Sequence, residues 1–309
     1  MEVANTSRVV VELTETRSWP VGEGRSASCL YVVVVDGEVA TDALATQVGT
    51  SKYVLASKLE QSKAHRIELF KRSEADYNAP VSAPSPVTLE RIGLDRERAA
   101  AADRGRLDHV RVRVLETGPC TPNIEIESAW ETYWRRMCTR FGAQCMVLAW
   151  SGRGLVTNYH ATEGALVPQL ANRTLASVAG SDYRGWREWI PDGIFVNLGT
   201  NDYCCGHAPD AVDFARGYLD FAQRLAGKYG VGPSAMPFFL GVGPMTMAYN
   251  QSVHLAAEMM ASAGFDRVHV VKQALLTPAE TGCHGHPNVV GHARMADEIG
   301  SVVGRVLGW

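Results

Sequence analysis

Three short runs in this chain hold residue types that acyl transfer uses, and each closes a stretch that reads as a β-strand. The first is Ala149-Trp150-Ser151-Gly152-Arg153-Gly154. Glycine lets a backbone N–H come close to a ligand, which suits a donor to a developing oxyanion; a tight strand-to-helix turn would use the same residues. The second is Asn197-Leu198-Gly199-Thr200-Asn201-Asp202. It sets a side-chain amide at a strand end, where the amide can donate to an oxyanion or build an Asx-rich turn. The third is Thr281-Gly282-Cys283-His284-Gly285-His286-Pro287-Asn288. An imidazole just ahead of a helix can act as general base and acid near neutral pH, or simply cap the helix. Glycine, asparagine and histidine in this order on successive strand ends are the parts of an acyl-transfer site.

The elements that would position them fall into two textures. Arg8 to Leu13, Leu30 to Val35, Tyr53 to Ala56, His65 to Lys71 and Val87 to Leu94 are short β-rich runs with turn residues between them. They predict an antiparallel sandwich. Ala79 to Pro86 is proline-rich and reads as a loop, and Asp95 to Arg106 as a charged connector. From His109 strands and helices alternate, which implies a parallel sheet covered on both faces. Val110–Leu115, Cys145–Trp150, Ile194–Leu198, Phe238–Val242 and Val268–Val271 are its expected strands. Helices are expected from Trp130 to Phe141, from Asp210 to Tyr229, up to Ala263, and over the last twenty or so residues. In that last helix Val289, Ala293, Ala296, Ile299, Val303 and Val306 form one apolar stripe. Ligands of such sheets gather at the carboxyl ends of the strands, where the three runs stand.

Composition sets limits. The chain has 309 residues, 46% hydrophobic and 20% charged, enough for two ordinary cores. A formal charge of −3 gives no overall basic footprint for nucleic acid, and no apolar run reaches the length of a membrane span. Met1 to Asn5 shows neither a basic leader nor an apolar signal core. The seven cysteines are scattered and odd in number, so no disulfide framework is expected; adjacent Cys204 and Cys205 would make a strained pair.

Taken together, the blocks resemble the SGNH hydrolase superfamily. Trp150-Ser151-Gly152-Arg153-Gly154 matches its second block, Gly199-Thr200-Asn201-Asp202 its third and His286-Pro287-Asn288 its fifth. Within it the chain is most similar to carbohydrate esterase family two. Further shared features are Pro191-Asp192, Gly243-Pro244-Met245 and Gly282-Cys283, and the likeness covers nearly the whole chain. It implies a jelly-roll sandwich over residues 1–108 and a flavodoxin-like, three-layer α/β hydrolase domain over 109–309. It also implies deacetylation of sugars or polysaccharides such as xylan, with no metal or organic cofactor and no nucleic-acid or membrane partner. By the same resemblance His286 is the general base, with Gly152 N–H and the Asn201 side chain as oxyanion donors. Relatives are often secreted.

Two departures stand against the pattern. The Gly-Asp-Ser block that should close the first strand of the hydrolase domain occurs nowhere; Leu115 is followed by Glu116-Thr117-Gly118-Pro119-Cys120-Thr121. Cys120 and Thr117 are weak stand-in nucleophiles, and Ser151 and Ser128 read as structural. The carboxylate that often precedes the histidine by two residues is replaced by His284, so the Nδ1 partner of His286 must come from elsewhere, such as a backbone carbonyl. A lost exon and late start would explain both the missing serine and a sandwich entered partway through.

Two other readings remain. The scaffold could bind carbohydrate without cleaving it, with Tyr159, Tyr183, Trp186 and Trp189 as stacking surfaces. Alternatively Cys204, Cys205, His207, Cys283, His284 and His286 could converge on a metal.

Overall fold

Period-two burial builds the first half of the protein. The structure, a computed structural model, describes residues 1–15, 19–20, 26–27, 29–72, 88–94, 115, 126–174 and 179–309. Its first strands are β1 (Glu2–Ala4), β2 (Arg8–Glu15), β3 (Trp19–Pro20), β4 (Ser26–Ala27) and β5 (Leu30–Val35). These are followed by β6 (Glu38–Ala45), β7 (Gly49–Ser57), β8 (Ala64–Lys71) and β9 (Thr88–Leu94). β1-β8-β5-β6 form one antiparallel sheet, β7-β2-β9 a second, and β3 and β4 a short hairpin. In β2, Val9, Val11 and Leu13 are buried in alternation, and they share a core with Tyr31 and Val33 of β5 and Ile67 of β8. Two sheets on one core make a sandwich. Buried Glu15 is satisfied by the hydroxyls of Tyr31 at 3.1 Å and Thr46 at 2.8 Å.

Arg72 leads out of this unit. Its guanidinium donates to the Glu127 carbonyl at 3.0 Å, and its own carbonyl accepts from Ala129 N–H at 3.0 Å. Beside it the Arg135 guanidinium lies 4.1 Å from the Trp130 ring centroid. The expected boundary at residues 108/109 and nearly all of the Val110–Leu115 strand lie outside the described residues.

The second half contains α1 (Tyr133–Phe141), α2 (Val167–Leu170), β10 (Ile194–Val196), α3 (Ala211–Tyr229), β11 (Phe238–Val242), α4 (Asn250–Ser262), β12 (Val268–Lys272) and α5 (Val289–Leu307). β10, β11 and β12 are parallel and adjacent in that order. All of β11 is buried: Phe238, Leu240 and Val242 pack on the α3 and α4 side, Phe239 on the α1 and α5 side. This is the two-faced burial that a parallel sheet under helices demands. The stops of α1 and α3 and the start of α3 follow the sequence reading. Asp210 accepts from Val212 N–H at 2.8 Å to start α3, and Gly142, Gly230 and Gly308 end α1, α3 and α5 in the left-handed conformation.

Two expectations are corrected. Cys145–Trp150 forms no strand among the described residues: it holds a single bridge residue, Val147, and a strand needs a run of them. The cysteines are not all unpaired: Cys138 is bonded to Cys145, and Cys283 is also in a disulfide. Gly142 turns the chain back at the end of α1, which brings the Cα atoms of Cys138 and Cys145 to 6.3 Å.

Candidate active site

The Gly152 turn is shaped from beneath by one carboxylate. Gly152 has φ +73°, and its carbonyl accepts from Tyr159 N–H at 2.8 Å. The loop then folds over Asp202, whose side chain receives the N–H groups of Leu155 at 3.0 Å, Val156 at 2.7 Å and Thr157 at 3.0 Å. Asp202 is fully buried, and burial pushes its carboxyl pKa up while these donors pull it back. Buried Asn158 closes the loop, accepting from Gly154 N–H at 3.2 Å and donating to the carbonyls of Thr162 and Gly164.

The Asn201 loop is fixed by aromatic packing. Gly199 sits at φ +134°, and a Cβ there would lie 2.5 Å from the Tyr249 ring. The Tyr249 hydroxyl accepts from Gly243 N–H at 3.1 Å and lies 3.4 Å from the Thr200 hydroxyl. From this support the Asn201 side-chain amide donates to the Arg153 carbonyl at 2.8 Å, which ties the second block directly to the third. Cys204 Sγ–H in turn donates to the Asn201 carbonyl at 3.3 Å.

His286 stands at the entrance to α5. Thr281 and Pro287 form an isolated bridge, and Asn288 caps α5 by accepting from Val290 and Gly291 at 2.9 and 3.0 Å. His286 Nδ1 lies 3.1 Å from the Cys283 carbonyl. A carbonyl only accepts, so this contact puts the proton on Nδ1 and the basic lone pair on Nε2. The backbone carbonyl expected in place of the family's carboxylate is therefore Cys283. The nearby Glu280 is engaged elsewhere: the Arg294 guanidinium, 2.5 Å away, holds its carboxyl at about 2.

One cavity of about 1090 Å3 gathers Gly152, Asn201 and His286 on its lining, with Ser151, His284 and Met245. All three residues singled out in the sequence lie on this lining. Cys120 and Thr117 lie outside the described residues. Ser151 lines the cavity, whereas buried Ser128 accepts from Glu131 N–H at 3.3 Å and is a turn residue. Trp186 is a packing residue, buried edge-on between Tyr183 and Tyr229, while Tyr159 is exposed and Trp189 half-buried on the cavity lining. The metal reading is not supported by geometry: among the described residues no three His, Cys, Asp or Glu side chains converge, and the disulfide of Cys283 removes it as a thiolate ligand.

Sequence reasoning missed His292, which lines the same cavity. It is buried, its Nδ1 accepts from Tyr133 N–H at 3.2 Å, and burial drives its pKa down to about 3. Its place three residues after Val289, on the buried side of α5, was the available signal. It also missed Tyr249, for which the sequence holds no local cue.

A parallel α/β layer that follows a β-sandwich in the chain is the architecture expected of SGNH-type carbohydrate esterases. The chain resembles family two of these enzymes in sequence and in fold. It is 26% identical to the cellulase/esterase CelE of Acetivibrio thermocellus over 90% of its own length, and spans about a third of that protein (34%). A family two carbohydrate esterase with a carbohydrate-binding domain from Corynascus (Myceliophthora fergusii) superposes with TM-score 0.74 at 25% identity, covering all of this chain and 96% of the other. An acetyl xylan esterase from the rumen bacterium Butyrivibrio proteoclasticus superposes with TM-score 0.81 at 16% identity, covering 100% and 89%. No family profile matches the chain.

Proposed function

We propose that this protein is a carbohydrate O-acetyl esterase working by Ser/His-type acyl transfer. The observation that carries the reading is the shared cavity of His286, Gly152 and Asn201, with Asn201 bonded to the Gly152 turn. In such a reaction a serine hydroxyl, which the Gly-Asp-Ser block missing from this sequence would supply, attacks the ester carbonyl; His286 Nε2 takes its proton and the carbonyl becomes a tetrahedral oxyanion. Gly152 N–H and Asn201 Nδ2–H receive that charge. An amide nitrogen carries two hydrogens, so the one given to Arg153 orients the group and the other serves the oxyanion. His286 then returns its proton to the departing sugar oxygen, and water repeats the sequence on the acyl group. No metal or organic cofactor enters these steps. The substrate is an acetylated saccharide, in keeping with the names of the relatives. The N-terminal sandwich, residues 1–108, would be the family's jelly roll, with the hydrolase domain over 109–309.

The absence of Gly-Asp-Ser favours a second reading for the chain as written, a carbohydrate-binding protein on the esterase scaffold. Incubation with p-nitrophenyl acetate and acetylated xylan separates the two. Release of acetate that His286→Ala abolishes supports the esterase. Saccharide binding with no release supports the binding protein, and neither result rejects both.

A further inference from the structure

The Asn201 loop ends in two adjacent thiols, and both touch the turns that hold the oxyanion donors. Cys204 and Cys205 are unbonded, in contrast to Cys138, Cys145 and Cys283. Cys204 lines the cavity and donates its S–H to the Asn201 carbonyl at 3.3 Å. Cys205 is exposed, with a left-handed backbone at φ +61°, and Gly206 follows at φ +77°. The Cys205 thiol lies close enough to the Tyr159 hydroxyl and the Cys204 thiol to help push both of their pKa values up. Tyr159 belongs to the other turn: its N–H bonds the Gly152 carbonyl at 2.8 Å, and its Cβ is the nearest atom to a Cβ built on Gly152. The thiol pair thus links Asn201 on one side to Gly152 on the other. The remaining free thiol among the described residues, Cys29, is buried in the sandwich.

We propose that Cys204 and Cys205 form a reversible thiol-oxidation site that controls the geometry of the two oxyanion donors. The oxidant class is a small-molecule disulfide such as oxidised glutathione. The exposed Cys205 thiolate attacks one sulfur, forming a mixed disulfide and expelling one glutathione thiolate. The Cys204 thiolate then displaces the second, closing a Cys204–Cys205 bond. Two electrons pass to the glutathione sulfurs, and the two cysteine protons end on the two glutathione thiols. Neighbouring Cα atoms are about 3.8 Å apart, short of the roughly 4.4–6.8 Å that relaxed disulfides span. The closed bond is strained and readily reduced, a property of labile rather than structural disulfides. Closing it removes the S–H donor from the Asn201 carbonyl and the thiol from Tyr159, so both donor loops must shift.

The chemical part of this inference is independent of the esterase reading; only its effect on turnover rests on it. The test treats the native protein with oxidised glutathione, then digests it without reductant and weighs the peptide holding both cysteines. The expected result is loss of two hydrogens from that peptide, reversed by dithiothreitol, with Cys29 unmodified. Native protein whose Cys204 and Cys205 both remain alkylatable after the treatment overturns the proposal. In turnover assays the oxidised protein should lose at least about tenfold in rate, as expected for a displaced oxyanion donor, and Cys205→Ser should be insensitive. Oxidation that leaves the rate of an active protein unchanged overturns the control of the donors. If the reduced protein turns nothing over, the side-chain amide NMR signals of Asn201 take its place: a shift on oxidation supports the coupling, and none overturns it.

Discussion

The side-chain amide of Asn201 and the main-chain carbonyl of Arg153 are joined at 2.8 Å, so the Gly152 loop and the Asn201 loop hold a single relative position. Preorganisation of this kind gives an oxyanion donor its value, because no reorientation is needed as charge develops. Here it makes Asn201 a fastener between the two loops, and in the proposed reaction a donor as well.

Asn201→Ala should therefore lower kcat by about 10²–10³-fold with little change in KM. Steady-state kinetics on p-nitrophenyl acetate decide it; a variant with wild-type kcat removes Asn201 from the chemistry.

Asp202 braces the loop that follows Gly152. Asp202→Ala leaves the N–H groups of Leu155, Val156 and Thr157 without their acceptor in a buried site. A loss of about 3 kcal/mol or more is expected in urea unfolding, since each orphaned donor costs roughly 1–3 kcal/mol. Asp202→Asn retains an acceptor oxygen and should cost clearly less. Equal losses for the two variants would mean that the N–H cluster is not what the carboxylate stabilises.

Gly199 and Tyr249 should be coupled. Gly199→Ala places a methyl 2.5 Å from the Tyr249 ring at φ +134°, for an expected cost of about 2–4 kcal/mol. Tyr249→Ala removes the clash but not the backbone strain. In a double-mutant cycle the pair should be less destabilised than the sum of the singles by about 1 kcal/mol or more. Strict additivity would place the whole penalty in the backbone.

Acid should destabilise the fold through two groups acting in the same direction. His292 has a folded pKa of about 3, below its ordinary value of 6.5, so the unfolded chain binds the extra proton as pH falls between them. Glu280, held at about 2 by Arg294 and the Thr277 N–H, adds stability above its ordinary 4.5 that is lost as pH drops toward 2. From about pH 7 to about pH 4.5 the His292 contribution alone is roughly 2–3 kcal/mol. Urea midpoints across that interval should fall for the wild type and fall less for His292→Gln. Parallel slopes would remove His292 as the source.

The chain's own residues determined a good deal. Alternating valines in β2, the glycine stops of α1 and α3, the Asp210 and Asn288 positions before their helices, and the all-apolar Phe238–Val242 strand follow from local sterics and periodicity. Each works within a few residues, so it is legible without a neighbour. The sequence also singled out Gly152, Asn201 and His286, through the order and spacing of the blocks that hold them. Only the tertiary structure decided which atoms they face. That the Cys283 carbonyl faces His286 Nδ1, that Asp202 holds the Leu155 N–H from 47 residues away, and that Cys138 and Cys145 are joined depends on contacts between segments. The same holds for Cys145–Trp150, whose composition is that of a strand: a ladder is a property of two chains of hydrogen bonds, and one segment cannot specify its partner.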